Sequence, residues 1–323
     1  MEKKLPIIMP PIETYQSSSF ILGIILANSN IENVFYNNYI NLVCNNTNKM
    51  WDVELQFANV SWEDFRRNGI AEMDMYYLKN LSSDKYVDFI KERIDQGNYI
   101  LLYSIDEFFL SYTINYQKRH FIHDTYIYGY NTDSFFIMAY KEKKLQMLEI
   151  SIEEIVEGMY SYFQIDNDAN FCTFRPFHAI SVQVDFDKMM KEIMSYAREY
   201  KSYKDAKVYG INIYSILEKC ILFIAEGKTD EYDGALDLRV FRMLWEHKKI
   251  LVNHIKKIKE KKKLDEQIIA QIIEIEQAAN KVFLLSMKYN VTYKKEILYK
   301  ILGYLEEVRE KEIIFFKQLI TVY

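Results

Sequence analysis

The chain has 323 residues, half of them hydrophobic, with 27 Tyr and 20 Phe against 9 Gly and 4 Pro. This excludes a disordered or collagen-like chain, and the length exceeds the roughly 100 to 200 residues of one domain, so two domains are expected. A net charge of -5, from 41 basic and 46 acidic side chains, argues against a protein that holds nucleic acid by neutralising phosphates.

Cys44, Cys172 and Cys220 are widely spaced, with no CxxC pair. Neither a disulfide framework nor a zinc knuckle is indicated, and a reducing compartment is expected. Met1-Glu2-Lys3-Lys4 and prolines at 6, 10 and 11 precede the first long apolar run, Phe20 to Ala27, which is only eight residues. That is too short to span a bilayer, and no small-residue cleavage site follows the charged start. A soluble cytoplasmic protein with no membrane partner is the expectation.

Ser17-Ser18-Ser19 reads as an N-cap cluster opening a buried helix over Phe20 to Ala27. Tyr86, Phe89, Ile90 and Ile94 share one face of a second helix, which stops at Asp95-Gln96-Gly97. Four strands are predicted next, over Tyr99–Ile105, His123–Tyr130, Ser134–Tyr140 and Leu145–Ile150, with a turn at Asn131-Thr132-Asp133. From Phe186 onward the period is helical: Met189, Met190, Ile193 and Ala197 form one face, and Ile213, Leu217, Cys220 and Ile224 another. Breaks at Gly210, Glu226 to Gly234 and Asn290-Val291-Thr292 give about five helices. The lysine run from Lys256 to Lys263 reads as a solvated helix end or interhelix turn, since acidic residues flank it. The fold class is therefore α+β, with an antiparallel sheet in residues 1–184 and a helical bundle in 185–323.

The best lead to chemistry is His120-Phe121-Ile122-His123-Asp124, which sets two of the five histidines at the mouth of a strand. No Glu or Cys completes an HExxH-like spacing, so the metal reading is weak. His178 and His254 stand alone and read as structural. A catalytic His needs a nucleophile to deprotonate and a third group to orient its ring. Asp133 and Asp124 are near, but Asp124 is adjacent to His123 and points to the opposite strand face. Glu246-His247-Lys248 lie about 100° apart around a helix and cannot all face one pocket; they read as packing, with a hydrogen bond from His247. Tyr76-Tyr77, Tyr126, Tyr128 and Tyr130 read as core tyrosines with wet hydroxyls.

The stretch Asp106-Glu107-Phe108-Phe109-Leu110-Ser111-Tyr112, then Tyr116-Gln117-Lys118-Arg119-His120, then His123-Asp124 through Tyr128-Gly129-Tyr130 resembles the N-terminal domain of the butirosin biosynthesis protein H family, which is similar to papain-like peptidases. Tyr209-Gly210-Ile211-Asn212-Ile213-Tyr214, Asp237-Leu238-Arg239 and Leu244-Trp245-Glu246-His247-Lys248-Lys249 look like the helical region of relatives from bacterial peptide and polyketide assembly lines. The resemblance implies a papain-like first domain. It further implies acyl transfer from an acyl or peptidyl carrier protein to an amine or hydroxyl of a small-molecule acceptor. The substrate would ride on the partner's phosphopantetheine arm, with no cofactor bound by this chain. A homodimer is left open. His123 matches the base, and Gln16, Asp106, Tyr112 and His120 are expected around the substrate.

This sequence departs from that pattern in two places. Tyr15-Gln16-Ser17-Ser18-Ser19 stands where the nucleophilic Cys would open the first helix, and no carboxylate follows in Phe135–Tyr140 to orient the base. Ser17 or Ser18 would have to serve as nucleophile, and a hydroxyl needs a base more than a thiol does. Two further arrangements are open: His123 acting alone as base on an acceptor attacking the thioester directly, or an inactive homologue that binds a carrier protein or partner enzyme.

Overall fold

The computed structural model describes residues 2–77, 79, 85–165, 170–177, 179–199, 206–228, 234–262 and 264–323, less the side chains of 163–165. His178 and Lys263 lie outside the described residues. The chain forms two compact units: one comprises the chain up to Asn33 together with Ser61–Gln183, the other Val34–Val60 together with Val184–Tyr323. A single division near 184 therefore holds for the chain's last crossing but not for residues 34–60. Those residues join the helices because β2 (Leu42–Asn45) pairs antiparallel with β10 (Lys207–Tyr209), through partners such as Cys44 and Val208. Hydrophobic period within a short run carries no record of such a distant pairing.

The first unit is built on an antiparallel sheet. Its strands are β1 (Lys3–Lys4), β4 (Ala71–Tyr77), β5 (Tyr99–Asp106), β6 (Ile122–Tyr130), β7 (Ser134–Lys141), β8 (Lys144–Ser151) and β9 (Asn170–Pro176), in the order β4-β9-β5-β6-β7-β8, with β1 also on β6. The four strands expected from the sequence all form. Strands β4 and β9 join them although Glu72, Asp74, Asn170 and Arg175 interrupt their apolar pattern. The predicted turn at Asn131 forms because its Oδ1 accepts the backbone N–H groups of Asp133 and Ser134, at 2.9 and 2.7 Å. Gly129 is required where β1 crosses, since a Cβ there would run into the backbone oxygen of Lys3.

One face of this sheet carries α1 (Gln16–Ala27), apolar all round after its first turn and buried from Ser19 to Ile25. Its N-cap is Tyr15, with no side-chain capping bond. The serines do not cap the helix; they occupy its first turn, and Ser19 Oγ donates back to the Tyr15 carbonyl at 2.8 Å. The other face carries α4 (Tyr86–Asp95) and α5 (Ile152–Ile165). Gly158 of α5 sits so close to the sheet that a Cβ would meet Ile105 Cγ1 at 2.7 Å.

The second unit combines α2 (Val34–Asn38), β2, β3 (Gln56–Phe57), β10 and the helices α6 (Phe186–Tyr196), α7 (Ile213–Ala225), α8 (Leu238–Lys261), α9 (Glu266–Thr292) and α10 (Lys295–Val322). The lysine run lies at the C-terminal end of α8, where cations suit the helix dipole. Lys257 pairs there with Glu260 at 2.6 Å, and Lys259 pairs with Glu266.

Its core holds a closed polar network. The Lys248 ammonium donates to Glu312 Oε1 at 2.7 Å, the Tyr196 hydroxyl at 2.7 Å and His247 Nδ1 at 3.0 Å, using all three of its protons. Tyr214 donates to Glu312 Oε2 at 2.7 Å. Because His247 Nδ1 accepts from a cation, Nε2 carries the ring proton and donates it to the Ile40 carbonyl at 2.7 Å. Lys248, Glu312 and His247 are fully buried. Glu246 pairs instead with Arg242 at 2.9 Å, so the three consecutive residues divide as the helical spacing requires.

Lys248→Met leaves Glu312 as an uncompensated buried charge and should cost about 3–5 kcal/mol in denaturant unfolding. Adding Glu312→Gln should recover part of that loss, and strictly additive losses would contradict the paired network. Burial holds His247 well below its ordinary value and His254 at about 4. Both are depressed below the unfolded value of roughly 6.5, so the unfolded chain gains protons first as pH falls. Stability should therefore decline from about pH 6.5 downwards, until about pH 4 for His254, by at most about 1.4 kcal/mol per pH unit for each histidine. Urea midpoints measured between neutral pH and pH 4.5 should show this slope, and a flat profile would refute it.

Candidate active site

Strand β6 brings candidate residues to both faces of the sheet. His123 is paired directly with Ile105, the residue that meets α5, so it stands on the α5 face. Tyr126 faces the other way: its ring lies 5.1 Å from that of Phe20 in α1. Asp124, two residues before Tyr126, shares its face and accepts its hydroxyl proton at 2.9 Å. The alternation expected of a strand thus separates His123 from the start of α1. His123 and the Ser17–Ser18 turn are not brought together as base and nucleophile.

On the α5 face, Asp106 ends β5 with its side chain wholly buried. Its Oδ1 accepts the backbone N–H groups of Phe108 and Phe121 at 3.1 and 3.2 Å. Its Oδ2 accepts Ser161 Oγ of α5 at 2.9 Å and meets His120 Nδ1 at 2.6 Å. Burial pushes this carboxyl up, but the bonds from His120, Phe108, Ser161 and Phe121 outweigh it and leave Asp106 below its ordinary value. An ionised Asp106 can only accept, so Nδ1 of His120 carries the proton and Nε2 keeps its lone pair whenever the ring is neutral. The His120 side chain is 63% exposed, and its ring stacks on Phe108 at 4.4 Å.

A second, looser pair lies beside the first. His123 Nδ1 is 3.4 Å from Glu107 Oε1, and Glu107 Oε2 accepts Asn115 Nδ2 at 2.6 Å. Ser111 N donates to Glu154 Oε1 at 2.6 Å, which ties the 107–121 loop to α5. Tyr112, expected near substrate, shares a 3.0 Å hydrogen bond between its hydroxyl and Thr125 Oγ1, and burial pushes its pKa up, keeping the phenol protonated. Gln16 Nε2 donates to the Met138 carbonyl at 2.9 Å, fastening the start of α1 to β7. That donor serves the scaffold, on the face opposite His120.

On the α1 face, the Tyr126 hydroxyl is buried and gives its proton to Asp124. Burial raises Asp124, offset in part by the Tyr126 bond. Burial raises Tyr103 of β5, with Cys172 and Asp124 adding to the shift. Sequence reasoning missed Ser161, Tyr103 and the role of Tyr126. The last was within reach, since period two carries Asp124 to Tyr126. Ser161 was not, because only tertiary packing sets an α5 hydroxyl against the end of β5.

Among the described residues, no group of three or more His, Cys, Asp or Glu side chains is gathered to hold a metal ion. No described helix is long and apolar enough to cross a membrane. Compared with known proteins, the chain matches no family model and no curated protein.

The Asp106 bond makes a spectroscopic prediction. In mildly alkaline buffer, side-chain 15N NMR should find His120 with Nδ1 protonated, the less common tautomer of free imidazole. Asp106→Asn should abolish that preference, and an Nε2-protonated ring in the native chain would contradict the geometry.

Proposed function

We propose that this chain transfers an acyl group from the phosphopantetheine thioester of an acyl or peptidyl carrier protein to an amine or hydroxyl of a small acceptor, in cytoplasmic bacterial natural-product biosynthesis. The resemblance to the butirosin biosynthesis protein H family supplies the substrate class. The observation that carries the chemistry is the Asp106–His120 pair: a buried carboxylate 2.6 Å from Nδ1, on a ring whose other nitrogen is the basic one.

In this reading His120 Nε2 takes the acceptor's proton as the acceptor attacks the thioester carbon. The tetrahedral adduct collapses with cleavage of the C–S bond, and the departing thiolate takes the proton back, giving an amide or ester and a free thiol. No enzyme nucleophile is needed, because a bound acceptor and a placed base together supply much of the acceleration. His123, paired with Glu107 on the same face, assists in binding the acceptor. A second reading, partner binding without turnover, draws support from Ile114 and Phe121, which are 80% and 37% exposed along the 107–121 segment that carries His120.

Incubation with an acylated carrier protein and an amine, followed by intact mass, decides between them. Turnover should fall by about 10²-fold or more in His120→Ala and less in His123→Ala. Turnover unchanged in His120→Ala overturns the base assignment. Carrier binding without acyl loss, insensitive to either substitution, overturns the enzyme reading in favour of the scaffold.

A further inference from the structure

Within the second unit, α6 and α10 border a groove of about 590 Å³, a volume in the range of small-molecule sites. The two helices run antiparallel: Arg309 reaches Glu199, beyond the end of α6, at 2.8 Å, whereas the later Phe316 meets the earlier Tyr196 with ring centroids 5.5 Å apart. Ile313, Phe316 and Ile320 of α10 line the groove at helical spacing, an apolar stripe roughly 10 Å long. Phe316 is the buried floor, and Met194 of α6 and Ile320 are 49% and 37% exposed. The floor is held from beneath. The Tyr196 hydroxyl accepts from Lys248 at 2.7 Å and donates to Glu312 at 3.1 Å, so the ring against Phe316 is fixed by the buried ionic network. Lys191, Lys317 and Arg198 stand around this apolar surface, and the carboxylate of Glu199 is already met by Arg309. Lys191 and Lys317 are exposed, and among the described residues neither forms an ion pair. Each lies more than a turn before the end of its helix, too far for the helix dipole to account for it.

We propose that this groove binds a medium-chain fatty acid as its carboxylate, with Lys191 and Lys317 meeting the anionic head and Met194, Ile313 and Phe316 covering the chain. Charge complementarity selects this occupant: uncompensated cations beside an apolar stripe match a ligand with one anionic end and one apolar body. An alcohol of the same length gains the apolar contact but leaves the lysines unmet, and an inorganic anion does the reverse. The unbranched thioether of Met194 lets the wall adjust to the chain. The groove is formed by α6 and α10 alone and does not rest on the transfer reading above.

The full chain, labelled with 13C at its methionine methyl groups, is titrated with decanoate and followed by NMR and calorimetry. The Met194 methyl resonance, identified by its loss in Met194→Leu, should shift saturably as one decanoate binds. Reversing both charges, Lys191→Glu with Lys317→Glu, should weaken binding by about tenfold or more, and decanol should bind several-fold more weakly than decanoate. No saturable shift at Met194, native affinity in the double variant, or decanol bound as tightly as decanoate overturns the proposal. Co-sedimentation with phosphatidylglycerol vesicles in the absence of decanoate binding overturns it in favour of a lipid surface. Should the double variant lower the melting temperature, the comparison of decanoate with decanol on the native chain carries the charge test.

Discussion

Strand β6 is the axis of the first unit: β5 pairs along one edge, β7 along the other, and β1 joins at Gly129 and Tyr130. A strand sends successive side chains to opposite faces, and here both faces are covered, by α1 on one and α4 and α5 on the other. A one-residue slip would exchange His123 with Asp124 and take Tyr126 away from Phe20. That register places His123, Asp124 and Tyr126. The α5 face holds two histidine–carboxylate pairs and the α1 face the Tyr126–Asp124 hydrogen bond.

The buried carboxylate of Asp106 is the second element of order. Four donors converge on it, from the 3-10 turn after β5, from α5 and from the segment entering β6. A carboxylate so satisfied can be ionised away from water, and it holds together three pieces of chain distant in sequence. Lys248 does the same in the helical unit, where each of its protons meets an acceptor and Glu312 balances its charge. Buried ionic groups of this kind tolerate loss of one partner poorly, because what remains is a charge without a solvent.

The two faces differ in chemical character. His120 is open to solvent and oriented by a charge, which suits proton exchange with a ligand arriving from outside. On the α1 face the Tyr126 hydroxyl is sealed from solvent and committed to Asp124. The same strand supports both because alternation insulates them. Neither depends on Ser17 meeting His123, the pairing that a nucleophile at a helix start and a histidine on a neighbouring strand would otherwise suggest.

Much of this was legible in the residues. The strands from Tyr99 to Ile150, the helix ending at Gly97 and the long helices after Phe186 follow from hydrophobic period, turn chemistry and helix stops, which are local properties. The opposition of His123 and Asp124 was legible too, since it needs only the period of a strand. The local pattern did not reveal that α1 covers the Asp124 face, that Ser161 reaches Asp106, or that residues 34–60 join the helices through β2 and β10. Each of these depends on which surfaces meet across tens of residues of chain. Sequence period determines which side chains share a face; only the packed structure decides what that face is pressed against.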